Sequence, residues 1–207
     1  VRDPRWGRVM ESTGEDPLLN SRLAAAMVRG YQGENLKEDN WRVAACVKHF
    51  AAYGGALAGR DYNTVDMSER QLREMYLPGY KAGLDAGAKL VMTSFNTVDG
   101  IPATGNQWLF RDVLRNEFGF EGVVISDWGA IKELIPHGVA KDEKQAAELA
   151  IKAGVDIEMM TTCYPDYLKE LLEEGRIAET LIDEAVMLIL KLKNELGLFE
   201  NPYRGAD

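Results

Sequence analysis

The sequence predicts an α/β fold built from parallel βα units, and three observations support this prediction. Apolar segments typical of strands alternate four times with helical segments, at roughly 30 to 45 residues per unit. The strand segments are continuous apolar runs, which favours parallel strands covered on both faces. Polar side chains follow these strands directly, as they do where the carboxyl ends of parallel strands line a ligand crevice. About the second half of an eight-stranded (β/α)8 barrel fits this rhythm, whereas a doubly wound sheet lacks support because no phosphate-binding glycine motif follows any strand.

The first predicted helix begins at Pro17, because Asp16 is a favoured N-cap and proline is favoured at the first helical position. We expect apolar and small residues at helical spacing to form its inner, core-facing side. These residues are Leu18, Leu19, Leu23, Ala26, Met27 and Gly30.

The first strand along the chain is predicted at residues 43–47 and ends in Lys48-His49-Phe50. We interpret Cys46, inside this apolar run, as a small buried hydrophobe rather than a redox residue. A glycine-rich loop over residues 51–67 follows and carries Arg-Asp-Tyr-Asn at 60–63. Loops of this length in a compact domain are usually functional.

The second predicted helix begins with a capping box at Ser68 and extends to about residue 86. Pro78 lies within this helix and predicts a kink or a break. The next strand, 90–94, ends in Phe95-Asn96 and is followed by a loop, 97–105, and a helix, 107–118. The chain closes with a helix at 141–153 that Gly154 ends, a strand at 155–159, and helices at 165–174 and 179–196.

The strand at 121–126 leads directly into Ser126, Asp127, Trp128 and Gly129. Asp127 therefore lies at the carboxyl end of a buried parallel strand, where α/β folds bind ligands. The alternative is that Asp127 only caps the segment that follows, since aspartate is a favoured N-cap. This run alone leaves both interpretations open.

The N-terminal loop, residues 3–8, places two arginines beside Trp6. A guanidinium offers a planar set of donors and an indole offers an apolar face, which together suit a polyhydroxylated ring. The alternative is a solvated loop in which Glu11, Glu15 or Asp16 holds the arginines in ion pairs.

Composition excludes several classes of function. The chain has 207 residues, enough for one domain or part of a larger barrel, and its net charge of -9 with no lysine or arginine cluster argues against nucleic-acid binding. No apolar run of about 18 residues predicts a membrane span. The two cysteines show no metal-binding spacing, so we expect neither a metal nor a cofactor. Localisation stays open, because the chain begins at Val1 without an initiator methionine.

Taken together, these features resemble glycoside hydrolase family 3, the retaining β-glucosidase group, and its bacterial β-glucosidases most of all. The resemblance spans nearly the whole chain in order. The segments that carry it are residues 3–8 with 15–17, 48–50, 92–96 with Gly100, 104–106, 125–128 and 130–134.

The resemblance implies that Asp127 is the nucleophile that forms a covalent glycosyl-enzyme during hydrolysis of terminal non-reducing β-D-glucosyl residues. It also implies a set of residues that bind a β-glucoside or oligosaccharide. The cationic and polar donors Arg8, Lys48, His49 and Arg60 would hold the sugar hydroxyls, Met92 would pack beneath the ring, Phe95 would line the site and Trp128 would stack on the leaving-group sugar. We expect the cations to favour the ionised form of Asp127.

Three departures qualify the resemblance. Phe95 stands where many relatives have a tyrosine whose hydroxyl contacts the nucleophile. Residues 51–55 replace the histidine-containing loop of the N-acetylglucosaminidase branch, which argues against that branch. The acid/base carboxylate of most members comes from a second, α/β-sandwich domain. We therefore expect residues 1–207 to be a partial catalytic barrel domain that lacks the early strands and that partner domain, and to be inactive alone.

Two alternatives remain. Lys48 at a strand end is a candidate Schiff-base nucleophile of a lyase or aldolase, with His49 as a general base or a core histidine. A half-barrel is also a candidate non-catalytic, self-associating unit, because unpaired strand edges invite association into a homo-oligomer.

Overall fold

The structure, a computed structural model, describes residues 1–62 and 64–205 and confirms the α/β class. Its central sheet has three parallel strands in the order β1-β3-β6: β1 (Cys46–Phe50), β3 (Leu90–Thr93) and β6 (Val123–Ile125). The predicted fourth strand contributes one parallel bridge, Ile125 to Ile157. The sheet is open in the described residues, and no closed barrel forms there.

Strand β1 begins three residues later than predicted and includes Lys48, His49 and Phe50. The reason lies in the preceding residues, which bind the end of the first helix instead of a strand. The Val43 N–H donates to the Tyr31 carbonyl at 3.0 Å, and the Ala45 N–H donates to the Gln32 side chain at 3.0 Å.

The prediction that Cys46 is buried is wrong, because Cys46 is exposed. Strand β1 pairs with β3 on one side only, so within the described residues its other edge carries no neighbour to cover it. A continuous apolar run indicates burial on both faces for an interior strand, whereas β1 is an edge strand in the described residues.

A second small sheet, not predicted, joins the two long loops. It consists of β2 (Thr64–Val65), β4 (Thr97–Val98) and β5 (Ile101–Pro102), with β4 parallel to β2 and antiparallel to β5. The β4-β5 hairpin turns through two residues with positive φ, Asp99 at 52° and Gly100 at 76°, which is the backbone that tight hairpin turns require. Asn63, part of the predicted functional loop, and the chain end at 206–207 lie outside the described residues.

The helices follow their predicted caps closely. Helix α1 (Pro17–Gln32) is capped by Asp16, which accepts from the Leu19 N–H at 2.8 Å. The second helix is α2 (Glu69–Gln71), a π-helical segment (Leu72–Tyr76) and α3 (Leu77–Asp85), and Ser68 caps it. Its irregular turn directly precedes Pro78, as predicted.

The remaining helical segments pack against one another and against β6. They are the π-helical segment Trp108–Glu117, α4 (Glu143–Ala153), α5 (Cys163–Glu173) and α6 (Glu179–Glu195). Asp142 caps α4 through the Gln145 N–H at 2.8 Å, and Gly154 ends it with a φ of 100°. Among the described helices, none combines the length and the apolar character needed to cross a membrane.

The predicted inner face of α1 is wrong. Leu18 is 63% exposed and Met27 51% exposed, and Leu19 and Leu23 are exposed as well. Helix α1 packs on α3 through its other side, where Val28 is buried. These apolar side chains share one face of α1, but in the described residues no element covers that face.

The main core lies between the sheet and the helices and includes the fully buried Phe50, Val91, Phe110 and Val124. One ion pair is buried at its edge: Arg115 Nη2 lies 3.0 Å from Asp156 Oδ2, which also accepts from the Val124 N–H at 2.7 Å. This core holds the carboxyl ends of the three strands in fixed positions.

Candidate active site

The carboxyl ends of β1, β3 and β6 bring together His49, Thr93 and Asp127, each of them buried. Tyr80 fixes the end of β1 through a hydrogen bond from its hydroxyl to the His49 carbonyl at 2.6 Å. Asp127 is the side chain on which these three strand ends converge. The peptide bonds Lys48-His49 and Phe50-Ala51 are both cis.

The two carboxylate oxygens of Asp127 have different surroundings. Oδ1 accepts from the Trp128 N–H at 2.6 Å, whereas Oδ2 is buried and has no hydrogen-bond partner in the described residues. The Asp127 N–H donates to Thr93 Oγ1 at 3.2 Å, and Thr93 Oγ1 lies 2.9 Å from Thr104 Oγ1. The residue is therefore held firmly by its backbone and one oxygen, and the other oxygen is free.

The capping alternative for Asp127 is not realised as a helix N-cap. The next helical turn, Lys132–Leu134, has Ile131 at its N-cap position. Asp127 instead closes a tight turn, in which its carbonyl accepts from the Ala130 N–H at 3.1 Å.

Burial has the largest effect on the pKa of Asp127. Loss of solvent raises the pKa of this carboxyl, and the Trp128 N–H, Arg8 and Lys48 partly offset that increase. The cations act in the direction expected from the sequence, but their effect is smaller than that of desolvation.

His49 is neutral, although it lies 3.4 Å from the Asp127 carboxylate. Burial lowers the pKa of His49 to about 3, and the charges of Arg8 and Lys48 contribute to the decrease. Its Nε2 atom is 3.0 Å from Arg8 Nη2. Because a guanidinium can only donate, Nε2 is the acceptor in this pair and the ring proton is on Nδ1.

Arg8 is fixed by Glu11, as the ion-pair alternative for the N-terminal loop suggested. Its Nε and Nη2 donate to the two Glu11 oxygens at 2.7 and 2.8 Å, and its guanidinium lies 5.2 Å from the centre of the Tyr53 ring. The same guanidinium also reaches His49, so the ion pair orients Arg8 at the site.

An aromatic cluster lines the site beside His49. Trp6 packs edge-on against Tyr53 at 4.9 Å, Tyr53 lies 5.9 Å from Phe95, and Phe95 stacks on Tyr62 at 4.3 Å. The Trp6 indole donates to Asp61 Oδ1 at 3.0 Å, which ties the N-terminal loop to the 51–67 loop.

The other four predicted sugar-binding residues are more exposed or have fewer polar contacts than Arg8 and His49. Lys48 and Arg60 are exposed and form no side-chain hydrogen bond or ion pair in the part of the chain that the structure describes. Met92 is half-buried in β3, and Trp128 is 62% exposed beside Asp127. No contact in the described residues brings Arg60 to Asp127.

Glu133 was not predicted from the sequence as a site residue and was included only within segment 130–134 of the family resemblance. Glu133 is half-buried, and burial raises the pKa of its carboxyl to about 7, with further increases from the charges of Asp127 and Asp61. A carboxylate six positions after Asp127, between the apolar residues Ile131 and Leu134, was the available signal. The described residues contain no group of three or more His, Cys, Asp or Glu side chains placed to hold a metal ion.

Comparison with known proteins identifies close relatives of this chain. The periplasmic beta-glucosidase of Salmonella typhimurium is 48% identical over 98% of this chain and 26% of that protein. A beta-xylosidase of Formosa agariphila is 38% identical over 96% of this chain and 29% of that protein.

The solved structures that are similar to this chain include beta-glucosidases as well. The beta-glucosidase from Listeria innocua in complex with glucose superposes with a TM-score of 0.98 at 66% identity, over 99% of this chain and 29% of that one. A mutant of the same enzyme in complex with laminaribiose gives a TM-score of 0.98 at 65% identity, over 99% of this chain and 29% of that one. The chain thus spans less than a third of the length of these proteins.

A family model decides the classification. The model described as the glycosyl hydrolase family 3 N-terminal domain matches residues 1–192, which is most of the chain. The chain therefore belongs to glycosyl hydrolase family 3 and corresponds to its N-terminal domain.

Proposed function

We propose that this chain carries the nucleophile of a retaining β-glucosidase and that Asp127 is that nucleophile. The observation that supports this most directly is the buried, unpartnered Oδ2 of Asp127, beside an Oδ1 held at 2.6 Å by the Trp128 N–H. A carboxylate nucleophile needs one oxygen free to bond to the anomeric carbon and a fixed orientation for its attack.

The neighbouring groups supply what a sugar in the −1 subsite needs. Arg8 and Lys48 bring positive charge that lowers the pKa of Asp127 against the effect of burial, which favours the ionised nucleophile. His49 Nε2 lies 3.4 Å from Oδ2 and accepts from Arg8, so the neutral ring orients the guanidinium next to the reacting atom. Met92 packs beneath the ring, and the half-exposed Trp128 offers a stacking face to the leaving-group sugar.

The substrate is a β-linked glucosyl compound or oligosaccharide. The Listeria innocua enzyme, 65 to 66% identical to this chain, is bound to glucose in one structure and to laminaribiose in another. The Formosa agariphila relative is a beta-xylosidase at the lower identity of 38%. Terminal non-reducing β-D-glucosyl residues are therefore the first substrates to test, with β-xylosides as the comparison.

The open sheet supports a partial catalytic domain. Within the described residues one edge of β1 is unpaired, and the chain spans less than a third of the relatives' length. We infer that residues 1–207 form about half of a (β/α)8 barrel whose other strands complete the −1 subsite in the full-length protein. The isolated chain is then inactive or nearly so, because part of the sugar-binding surface is missing.

Covalent labelling tests the nucleophile. The full-length protein is incubated with an activated 2-deoxy-2-fluoro β-glucoside, and the adduct is located by intact mass and peptide mapping. We expect one adduct on Asp127, none in Asp127→Asn, and an unchanged adduct in the surface control Glu143→Gln. An adduct on another residue contradicts the assignment. Labelling of the folded, isolated 207 residues would contradict the incomplete subsite.

The Schiff-base alternative needs a lysine activated by desolvation. Lys48 is exposed within β1, which argues against such an environment. Borohydride trapping of a keto substrate, with loss in Lys48→Ala, is the result that would revive a lyase function.

Self-association of the isolated chain is favoured by a separate observation. The apolar face of α1, formed by Leu18, Leu19, Leu23, Met27 and Tyr31, is exposed, and within the described residues one edge of β1 is unpaired as well. A second copy is the occupant available in a solution of the pure fragment. We expect a mass that rises with concentration in light scattering, whereas a strictly monomeric chain contradicts this second candidate.

A further inference from the structure

Tyr53 contacts both residues that flank the free oxygen of Asp127. Its ring centroid lies 5.3 Å from that of His49, with the two ring planes at 79°, and the Arg8 guanidinium carbon lies over the same ring, 5.2 Å from its centroid. Arg8 Nη2 in turn lies 3.0 Å from His49 Nε2, and that nitrogen lies 3.4 Å from Asp127 Oδ2. One aromatic side chain therefore packs against the histidine and the arginine beside the proposed nucleophile.

The ion pair with Glu11 is only part of what orients Arg8. Glu11 is exposed, and exposed ion pairs hold their side chains weakly because water screens the charges. Tyr53, in contrast, is 1% exposed, and its ring lies within the distance at which the negative face of an aromatic ring attracts a guanidinium. The ring is thus the buried partner of Arg8 on the protein side of the site.

Tyr53 is itself held in one position by its other neighbours. Trp6 packs edge-on against it at 4.9 Å, and Phe95 lies at 5.9 Å. The short helical turn Tyr53–Gly55 is closed by a hydrogen bond from the Gly55 N–H to the Ala52 carbonyl at 2.8 Å. A ring that is enclosed on several sides offers the fixed support that a residue in an active site needs.

The hydroxyl of Tyr53 takes no part in these contacts. It is buried and has no hydrogen-bond partner in the described residues. Burial raises the pKa of Tyr53 far above its ordinary value, Asp61 adds to the increase and Arg8 opposes it, so the hydroxyl is neutral and offers the guanidinium no opposite charge. The contact with Arg8 is therefore made by the ring, which a phenylalanine would also supply.

We propose that Tyr53 is a positioning residue for the hydrolysis and that it acts through Arg8. This inference rests on the proposed function, in which Arg8 holds a hydroxyl of the sugar in the −1 subsite. The Tyr53 ring keeps the guanidinium beside His49 before the substrate binds, so less side-chain freedom is lost on binding. The alternative is that Tyr53 only fills space between the loops, in which case its effect on activity does not depend on Arg8.

A double-mutant cycle in the full-length protein tests this role. It compares the wild type, Tyr53→Leu, Arg8→Met and the combined variant by kcat/KM for a dinitrophenyl β-glucoside, whose activated leaving group keeps slow variants measurable. We expect Tyr53→Leu to lower kcat/KM by about 3- to 30-fold, the range that a cation–π contact supports. In the Arg8→Met background the same change should cost little or nothing more, because the group that it acts through is gone.

Two further variants complete the experiment. Tyr53→Phe is the conservative variant, and because it keeps the ring it should recover most of the activity that Tyr53→Leu loses. Tyr53→Met keeps more of the side-chain volume and replaces Tyr53→Leu in the cycle if the leucine variant does not fold. Denaturation midpoints are measured for every variant, so that a loss of activity is compared among folded proteins only.

The outcomes separate this role from the proposed function. Equal losses from Tyr53→Leu with and without Arg8 overturn the role, because a residue that only fills space acts independently of Arg8. Wild-type activity in Tyr53→Leu overturns it as well, and a loss in Tyr53→Phe as large as in Tyr53→Leu assigns the effect to the hydroxyl instead. If these results appear while Asp127 is still labelled in the wild type, the proposed function stands. Absence of an adduct on Asp127 overturns the proposed function itself.

Discussion

His49 Nε2 lies 3.4 Å from Asp127 Oδ2, yet the two residues do not form an ion pair. The ring nitrogen accepts from Arg8 Nη2 at 3.0 Å, and burial keeps the pKa of His49 near 3. A neutral acceptor therefore faces the free carboxylate oxygen. Neither atom satisfies the other: Nε2 is occupied by Arg8, whereas Oδ2 stays available to the anomeric carbon of a bound sugar.

Replacement of Arg8 should raise the pKa of His49. In Arg8→Met we expect a value above about 3 but below the ordinary 6.5, because burial is the larger cause and remains. The pKa of His49 is lower in the folded state than in the unfolded state. The contribution of neutral His49 to folding stability is therefore complete above pH 6.5 and is lost as pH falls towards 3. NMR titration measures the pKa of His49, and the variant His137→Gln assigns the two histidine signals. An unchanged pKa in Arg8→Met contradicts the role of Arg8.

Thr93 should position Asp127 through its hydroxyl. Thr93→Val keeps the shape but leaves the buried Asp127 N–H without its acceptor at 3.2 Å, so we expect a loss of about 1 to 3 kcal/mol of stability and a lower kcat. Thr93→Ser keeps the hydroxyl and is the matched control. Equal kinetics and denaturation midpoints for the two variants would show that this hydrogen bond does not matter.

The buried pair of Asp156 and Arg115 should matter for stability and not for chemistry. Asp156→Ala removes the acceptor of the Val124 N–H at 2.7 Å and leaves Arg115 unpaired, which costs about 3 to 5 kcal/mol of unfolding free energy. Asp156→Asn retains an acceptor and should cost less. The exposed pair of Glu200 with Lys37 is the control, since Glu200→Gln should change stability by less than about 1 kcal/mol in denaturant unfolding.

The exposed face of α1 should drive association of the isolated chain. Leu19→Glu combined with Met27→Glu places charges on this face, so the concentration-dependent mass should revert to that of a monomer. The control is Arg22→Glu, which changes charge on the same helix without removing apolar surface. Unchanged association in the double variant would locate the contact elsewhere, for example at the edge of β1.

Local features of the fold were predictable because their causes lie within a few residues. Asp16, Ser68 and Asp142 precede helices and each accepts an N–H three residues later, and Gly154 ends α4 with positive φ. Each of these helix caps needs only its own residue and the adjacent backbone. The position of Asp127 at the end of an apolar strand was predictable for the same reason, because the strand and the aspartate are adjacent in sequence.

Exposure depended on elements that are distant in sequence. The α1 periodicity indicated an apolar face but not whether a neighbour covers it, and the run at 43–47 indicated hydrophobicity but not an edge position for Cys46. Periodicity identifies which residues share a face, whereas burial depends on what packs against that face.

The sequence by itself determined the class of fold, the positions of its main helices and the candidate nucleophile. The tertiary structure decided the electrostatics of the site. His49 is neutral because Arg8, 41 residues away in sequence, donates to its ring within a buried pocket. The pKa of Glu133 is raised to about 7 because the fold removes solvent from its carboxyl and adds the negative charges of Asp127 and Asp61. Protonation depends on distances between charges and on desolvation, and only the folded chain has either.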